Sequence, residues 1–249
     1  MTTPVSLTST KMNLGLRQTE QWIDDVLLPR ASLLGRLRFC VCLPHPLLPA
    51  GVERVRGTGM TIGAQNVWHG EGAVTGEVSA DLLAEVGCTH VMVGHAERRR
   101  LFDEDDTVIA RKAAAVVEAG MTPLICVGEQ SRISAAAAAA HVTAQASTAL
   151  QQLPPRSSAL ILYEPLWAIG GAQAAHPNHA ATVLERLRAA VTHPAVRLVY
   201  GGAVVPGTYT ALRAAAPWDG VALGRAARDP GMLGEITAEL LAHTPVQGA

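Results

Sequence analysis

The chain has 249 residues, of which 49% are hydrophobic and 16% are charged, and its formal net charge is -1. This length and apolar content suffice for a large buried core, and we expect one domain over residues 1–249. The nearly neutral charge, without a basic tract, argues against a nucleic-acid partner. No apolar run reaches the length of a membrane span and no basic leader is present, so we expect neither membrane insertion nor secretion.

Short apolar runs alternate with helical patterns along the whole chain. The predicted strands cover residues 5–8, 38–43, 60–64, 90–93, 122–127, 159–163, 197–200 and 220–223. Most are rich in Val, Ile, Leu or Cys, as expected of strands that are buried on both faces. The strongest helical patterns cover residues 107–118, 132–152, 177–192 and 230–243. Eight such alternations predict an α/β fold with a single parallel (β/α)8 barrel, and a doubly wound open sheet is the alternative.

Four cysteines, Cys40, Cys42, Cys88 and Cys126, lie in apolar or small-residue segments. We expect Cys40 and Cys42 to point to opposite faces of a strand, which argues against a disulfide or a metal site between them. Reduced core cysteines are typical of cytoplasmic proteins, and the cytoplasm is the location that we predict.

Two candidate catalytic residues come directly after predicted strands. His95 follows the fourth strand and opens a helix, whose N-terminus disfavours a positive imidazole. We therefore expect a neutral, functional His95, with a purely structural histidine as the alternative. Glu164 follows the sixth strand among aromatic and apolar residues, which would raise its pKa and suit it to act as a base. The alternative for Glu164 is a carboxylate that pairs with a core arginine.

Glycines and one lysine occupy the ends of other strands. Gly170-Gly171, Gly201-Gly202 and Gly224 follow strands six, seven and eight, where backbone N–H groups can approach an anion closely. Turns also use glycine, so one pair alone is weak evidence. Lys11 and Lys112 are the only lysines in a chain rich in arginine. Lys11 lies at the end of the first strand. Either this position requires the compact ammonium group of a lysine, or a lysine has been kept there by chance. Together these residues predict an acid–base enzyme for a small phosphorylated substrate.

Seven segments, in order and at similar spacing, resemble the triosephosphate isomerase family. They are Thr10-Lys11-Met12-Asn13, Gly63-Ala64-Gln65-Asn66, Thr75-Gly76-Glu77, residues 93–99, Cys126-Val127-Gly128-Glu129, residues 163–170 and Tyr200-Gly201-Gly202. The resemblance implies a TIM barrel that forms a homodimer and uses neither a cofactor nor a metal. It also implies interconversion of dihydroxyacetone phosphate and glyceraldehyde 3-phosphate through an enediolate, a reaction of glycolysis and gluconeogenesis.

The resemblance assigns roles to four residues at the strand ends. Glu164 would remove the proton beside the carbonyl, and neutral His95 would move protons between the two substrate oxygens. Lys11 would stabilise the enediolate and the phosphate electrostatically. Glu97 would pair with Lys11 and position it.

The resemblance also implies a mobile lid over residues 166–175, whose closure excludes water from the reaction. Gly170 would bind the phosphate through its N–H, and Tyr200 would hold the closed lid near Ala175. Trp167 would anchor the lid, with a plain packing tryptophan as the alternative.

Residues 69–77 resemble the loop through which members of this family enter a neighbouring subunit. The loop would place Thr75 near Lys11 of that subunit, which implies a homodimer. A solvent-exposed hairpin is the alternative.

The sequence departs from the family pattern in five segments. Ser9 replaces an asparagine that helps to polarise the substrate, Ala96 a serine that holds the base in the open enzyme, and Ala203 a serine that contacts lid and phosphate. At the tip of the lid, Gly170-Gly171-Ala172-Gln173 stands where the family usually has Gly-Thr-Gly-Lys. In Gly224-Arg225 a cationic side chain stands beside the expected phosphate site. Because Ala203 and Arg225 keep backbone N–H groups, both are expected to bind the phosphate with Gly224, and Ser9 to contact the substrate.

Two other functions stay open. One is a paralogous isomerase for a tetrulose phosphate such as erythrulose phosphate, which Arg225 favours, whereas the lid length favours the triose enzyme. The other is a non-catalytic protein that binds a phosphorylated ligand. The joint presence of Lys11, His95 and Glu164 argues against it, because a binding protein needs no base.

Overall fold

The computed structural model describes residues 3–169, 171 and 174–244. Within these residues, eight strands alternate with ten α-helices. The strands are β1 (Val5–Ser9), β2 (Cys40–Leu43), β3 (Thr61–Ala64), β4 (His90–Val93), β5 (Thr122–Val127), β6 (Ala159–Tyr163), β7 (Val196–Tyr200) and β8 (Gly220–Leu223). The helices are α1 (Leu16–Trp22), α2 (Ala31–Arg36), α3 (Leu48–Val55), α4 (Ala80–Val86), α5 (Ala96–Leu101), α6 (Asp106–Glu118), α7 (Ala135–Leu150), α8 (Pro177–Ala190), α9 (Thr208–Ala215) and α10 (Pro230–Ala242).

The strands form one closed, parallel barrel in which each strand pairs with its neighbours in chain order. Leu7 of β1 lies opposite both Cys40 of β2 and Ala222 of β8, so the first strand joins the last. The predicted (β/α)8 TIM barrel is therefore confirmed. The alternative, an open doubly wound sheet, would leave two unpaired edges and does not agree with the closed barrel. That all of residues 1–249 form one domain stays a prediction. Of the helices in the described part of the chain, none is long and apolar enough to cross a membrane.

The element boundaries follow the predicted ones except where a local conformation intervenes. β4, β5, β6 and β8 have the predicted bounds. β2 begins at Cys40 rather than at residue 38, because Arg38 has φ 50, in the left-handed region that a strand does not contain. α7 begins at Ala135 rather than at residue 132, because the Ser134 hydroxyl accepts a hydrogen bond from the Ala137 N–H and caps the helix there.

Apolar side chains fill two layers around the strands. The barrel interior contains ten buried residues: Leu7, Cys40, Cys42, Met92, Leu124, Cys126, Leu160, Leu162, Val199 and Ala222. A larger layer of apolar side chains lies between the strands and the helices. Because both faces of each strand are buried, the strands read as nearly continuous apolar runs in the sequence.

All four cysteines are free and buried. The expectation that Cys40 and Cys42 point to opposite faces of their strand is wrong, since both side chains lie in the barrel interior. Side chains of a strand alternate between its two faces, so residues two apart share one face. The two sulfurs also approach the same neighbour: a Cβ on Gly63 would lie 3.0 Å from Cys42 Sγ and 3.3 Å from Cys40 Sγ.

Candidate active site

The C-terminal ends of the strands surround a cavity of about 150 Å³. Seven predicted site residues line it: Ser9, Lys11, His95, Glu164, Ala203, Gly224 and Arg225. They follow or end β1, β4, β6, β7 and β8, and closure of the barrel brings these strand ends to one rim. Gly170 lies outside the described residues. Thr75 is exposed and does not line this cavity.

Lys11 follows β1 in a strained turn. Its φ is 50, in the left-handed region, which costs a residue other than glycine about 1–3 kcal/mol. The Ser9 hydroxyl accepts a hydrogen bond from the Lys11 N–H at 3.2 Å, and Gln65 Nε2 donates to the Lys11 carbonyl at 3.2 Å. Lys11 Nζ donates to Glu97 Oε1 at 2.6 Å. The turn and the ion pair together hold the ammonium group at the rim.

His95 is the N-cap residue of α5. Its Nδ1 accepts a hydrogen bond from the backbone N–H of Glu97 at 3.2 Å. A backbone N–H can only donate, so Nδ1 carries no proton and the imidazole is neutral with its proton on Nε2. Nε2 lies 3.7 Å from Glu164 Oε2. This tautomer presents an N–H donor to the same region of the cavity as the carboxylate.

Glu164 directly follows β6 and is only 7% exposed. Burial raises the pKa of Glu164, and this effect outweighs the positive charge of Lys11, which acts in the opposite direction. The Oε2 atom of Glu164 has no hydrogen-bond partner among the described residues. A buried carboxylate with a raised pKa and an unpartnered oxygen is suited to accept a proton from a bound substrate.

Two glycines make room for Glu164. A Cβ on Gly128 would lie 1.9 Å from the Glu164 carbonyl oxygen, and a Cβ on Gly201 would lie 2.9 Å from Glu164 Cγ. The Glu164 N–H also donates to the Val127 carbonyl at 2.8 Å. The end of β5 therefore positions the backbone of Glu164 and the end of β7 its side chain, and only glycine permits these close approaches.

Both ends of the predicted lid, residues 166–175, are hydrogen-bonded to the barrel. Near the first end, Trp167 Nε1 donates to Glu129 Oε1 at 2.7 Å. At the second end, the Ala175 N–H donates to the Tyr200 hydroxyl at 2.7 Å. The contact expected between Tyr200 and the region of Ala175 is thus present, and Trp167 makes a polar contact in addition to its packing.

Arg225 connects the last strand to the lid. It follows Gly224 at the end of β8, and its Nη2 donates to the Gly171 carbonyl at 3.4 Å. The guanidinium therefore reaches the lid from the side of the cavity where the substrate phosphate is expected.

Two polar residues near the strand ends were absent from the predicted site. Gln65 follows β3, and its Nε2 donates to the carbonyls of both Lys11 and Cys42, at 3.2 and 3.0 Å. Glu129 follows β5, is buried and binds Trp167. Both residues follow a strand. Because the same position identified His95 and Glu164 as candidates, it could also have identified Gln65 and Glu129.

Comparison with known proteins agrees with this geometry. The family model for triosephosphate isomerase matches residues 4–240. A triosephosphate isomerase of Solibacter usitatus is 40% identical over 216 residues, which cover 81% of this chain and 86% of the relative. A triosephosphate isomerase of Symbiobacterium thermophilum is 35% identical over 249 residues, which cover 96% of this chain and 97% of the relative.

A relative of a different name is equally similar. An L-erythrulose-1-phosphate isomerase of Pectobacterium atrosepticum is 38% identical over 244 residues, which cover 93% of each chain. The family model nevertheless spans nearly the whole barrel, and the relatives match over most of their lengths. The chain therefore belongs to the triosephosphate isomerase family.

Proposed function

We propose that this protein is a triose-phosphate isomerase, which interconverts dihydroxyacetone phosphate and glyceraldehyde 3-phosphate. The observation that carries this proposal is the 3.7 Å separation of Glu164 Oε2 and His95 Nε2 on one cavity that Lys11 also lines. A base and a neutral hydrogen-bond donor that meet in this way suit the transfer of a proton between adjacent carbons. The family to which the chain belongs supports the same reaction.

The reaction begins when Glu164 removes a proton from the carbon beside the carbonyl. The C–H electron pair forms the double bond of an enediolate, and the carbonyl electron pair moves onto oxygen. His95 gives that oxygen the proton from Nε2 and recovers a proton from the neighbouring hydroxyl. Glu164 returns its proton to the second carbon. Both side chains then have their initial protonation states, and no redox cofactor is consumed.

Lys11 stabilises the negative charge of the enediolate and of the phosphate. Glu97 keeps the Lys11 ammonium in place through the 2.6 Å ion pair, and Ser9 supports the strained turn through the Lys11 N–H. These side chains need no rearrangement as charge develops on the substrate oxygen.

The phosphate binds at the opposite side of the cavity. Ala203 and Gly224 follow β7 and β8, the strands after which phosphate sites of such barrels lie. Arg225 adds a cation there, and Gly170 of the lid supplies a backbone N–H. Closure of the lid, held by Trp167 and by Tyr200, protects the enediolate from water and from loss of phosphate.

The active form is a homodimer that assembles through the loop of residues 69–77. Residues 70–77 are exposed, and the apolar side chains of Met12, Leu101 and Phe102 are 95%, 62% and 62% exposed. An interface that covers these side chains would remove their apolar surface from water. In the dimer, Thr75 reaches the partner's Lys11.

The protein acts in the cytoplasm. Four free, buried cysteines support this location, because reduced thiols persist there. The proposed reaction belongs to glycolysis and gluconeogenesis.

A coupled assay with glyceraldehyde 3-phosphate tests the proposed reaction. Glu164→Asp withdraws the carboxylate by about 1 Å and His95→Gln removes the imidazole, and each should lower kcat by about 100-fold or more. Glu235→Asp, in an exposed glutamate of α10, is the matched control. Unchanged turnover in both site variants would contradict the assigned roles. A parent protein that binds sugar phosphates without any turnover would support the non-catalytic binding protein instead.

An isomerase for a tetrulose phosphate is the second candidate. It is favoured by the position of Arg225 near the lid and by the relative named L-erythrulose-1-phosphate isomerase. The ratio of kcat/KM for a triose and a tetrulose phosphate measures the preference. If the second candidate is right, Arg225→Gly should raise kcat/KM for the triose and lower it for the tetrulose. An equal effect on both substrates would mean that Arg225 does not discriminate between them.

A further inference from the structure

A second cavity, of about 330 Å³, lies at the end of the barrel opposite the candidate active site. Arg197 is near the start of β7, and Asp219 directly precedes β8, so this cavity is at the N-terminal ends of the strands. Arg188 of α8 and Arg213 of α9 also line it. We call it the basic cavity.

Positive charge exceeds negative charge in the basic cavity. Asp219 is the one acidic residue among the described residues that line it, against three arginines. Arg188 Nη2 is 3.0 Å from Asp219 Oδ2, so this carboxylate is already paired. Arg197 and Arg213 donate to backbone carbonyls, which carry no net charge. In the described part of the chain, neither of these two guanidinium groups has a carboxylate within ion-pair distance.

A further acid near the basic cavity does not supply the missing charge. Glu239 of α10 contributes to the electrostatic environment of Tyr209, which also lines the basic cavity. Its carboxylate accepts hydrogen bonds from the backbone N–H groups of Gly207 and Thr210 at the start of α9. Glu239 is therefore engaged with the helix rather than with the arginines.

Two buried donors in the basic cavity lack an acceptor. Arg197 Nε and Trp218 Nε1 have no hydrogen-bond partner among the described residues, and Trp218 is completely buried. A buried donor without an acceptor is unfavourable, and a bound acceptor would remove this cost. Burial lowers the pKa of Arg197, the negative charge of Asp219 opposes this effect, and like-charge repulsion from Arg188 adds to it. A bound anion would act in the same direction as Asp219.

We propose that the basic cavity binds a phosphate dianion. Guanidinium groups present paired N–H donors that match phosphate oxygens. The described residues that line this cavity include none that line the candidate active site. The inference therefore goes beyond the proposed isomerase reaction and does not depend on it.

The indole N–H resonances of two of the four tryptophans report on these sites, and because the Trp218 ring also packs against Tyr163 and Tyr200, the Arg213 variant decides the origin of a Trp218 shift. Trp218 reports on the basic cavity, and Trp167, which is hydrogen-bonded at the lid, reports on the candidate active site. Spectra of Trp218→Phe and Trp167→Phe assign the two signals. The parent protein is titrated with inorganic phosphate, and a titration with sodium chloride at equal ionic strength controls for screening.

We expect a saturable shift of the Trp218 resonance in the parent protein. The same shift should occur in Arg186→Gln, which changes an exposed arginine of α8 that does not line the basic cavity. In Arg213→Gln the dissociation constant read from Trp218 should rise about tenfold or more, while the response of Trp167 stays unchanged. If Arg213→Gln does not fold, Arg213→Met keeps most of the aliphatic stem and is judged by the same criterion.

The absence of a saturable Trp218 shift in the parent would overturn the proposal. So would a Trp218 shift that the Arg213 variant leaves unchanged. A response of Trp167 alone would mean that phosphate binds only near the lid. A response of Trp218 alone would support the basic cavity and count against phosphate binding at the candidate active site, so the two proposals fail separately.

Discussion

Two neighbouring carboxylates differ in pKa because of their surroundings. Burial raises the pKa of Glu164. Burial also acts to raise the pKa of Glu97, but the hydrogen bond from Lys11 and the positive charge of Lys11 lower it overall. Glu164 is therefore suited to exchange protons, whereas Glu97 remains an anion that holds Lys11. The same residue type thus serves two roles at one rim.

The raised pKa of Glu164 predicts the pH dependence of the reaction. The base must be ionised to accept a proton, so activity falls as the pH decreases through the pKa of Glu164. Because that pKa is raised, kcat/KM should begin to fall at a higher pH than an exposed glutamate would produce. A profile of kcat/KM from about pH 4 to about pH 9 measures this limb. An acidic limb at the position of an ordinary glutamate would contradict the expectation.

Gly201 should be needed for catalysis although it carries no side chain. In Gly201→Ala the new Cβ would lie 2.9 Å from Glu164 Cγ and 3.0 Å from Leu162 Cδ1, so the base must move. We expect kcat to fall by about 10- to 100-fold in a folded protein. Gly15→Ala is the control, because its Cβ would be no closer than 3.7 Å to Gln18. Equal kcat in the two variants, at unchanged circular dichroism, would refute this role for Gly201.

At the scale of elements, both ends of the lid are hydrogen-bonded to residues at the C-terminal ends of β5 and β7. Glu129 after β5 accepts hydrogen bonds from the Tyr163 hydroxyl at the end of β6 and from Trp167 at the lid. Tyr200, the last residue of β7, binds the Ala175 N–H. The barrel therefore supplies attachment points for both ends of the segment that we propose as the lid.

Tyr200→Phe should weaken the attachment of the lid without changing the catalytic side chains. Only the hydroxyl that accepts the Ala175 N–H is lost, so KM should rise by about two- to tenfold and kcat should fall less. A looser lid should also release more of the enediolate, which is measured as inorganic phosphate formed per turnover.

The control for this prediction is Tyr209→Phe, which removes another buried tyrosine hydroxyl at the opposite end of the barrel. Equal phosphate release by the parent, Tyr200→Phe and Tyr209→Phe would show that the hydroxyl of Tyr200 does not retain the intermediate.

At the scale of the whole molecule, the barrel separates two sets of polar groups. The residues proposed for the isomerase reaction lie at the C-terminal ends of the strands, and the arginines of the basic cavity lie at the N-terminal ends. Met12, Leu101 and Phe102 are exposed apolar residues in the isolated chain. Assembly of two chains, as proposed, would cover these side chains and bring a loop to each active site.

Phe102→Glu should disrupt this assembly. A charge in an apolar interface is unfavourable unless it is paired, so sedimentation equilibrium should show a monomer or a weakened dimer. The specific activity should fall by about tenfold or more, because each site would lose the loop of its partner. Leu33→Glu changes an exposed leucine of α2 and should remain dimeric and active. A Phe102 variant that stays dimeric at nanomolar concentration would exclude this surface as the interface.

Much of the fold was readable from the sequence because it depends on local patterns. Four strands have the predicted bounds, and the others differ by one or two residues. Arg38 and Ser134 account for two of the differences, since a left-handed residue and a helix cap are decided by local backbone geometry. The faces of Cys40 and Cys42 were predicted wrongly although the alternation of side chains along a strand was sufficient to assign them.

The sequence by itself determined the order of eight strands and the chemistry at their ends, because apolar runs and strand-end positions are local properties of the chain. Only the tertiary structure decided that Glu164 and His95 stand 3.7 Å apart, and that Gln65 holds the turn of Lys11. It alone showed that arginines of α8, β7 and α9 share one cavity. These are relations between residues far apart in sequence, and the closure and register of the barrel fix the distances between them.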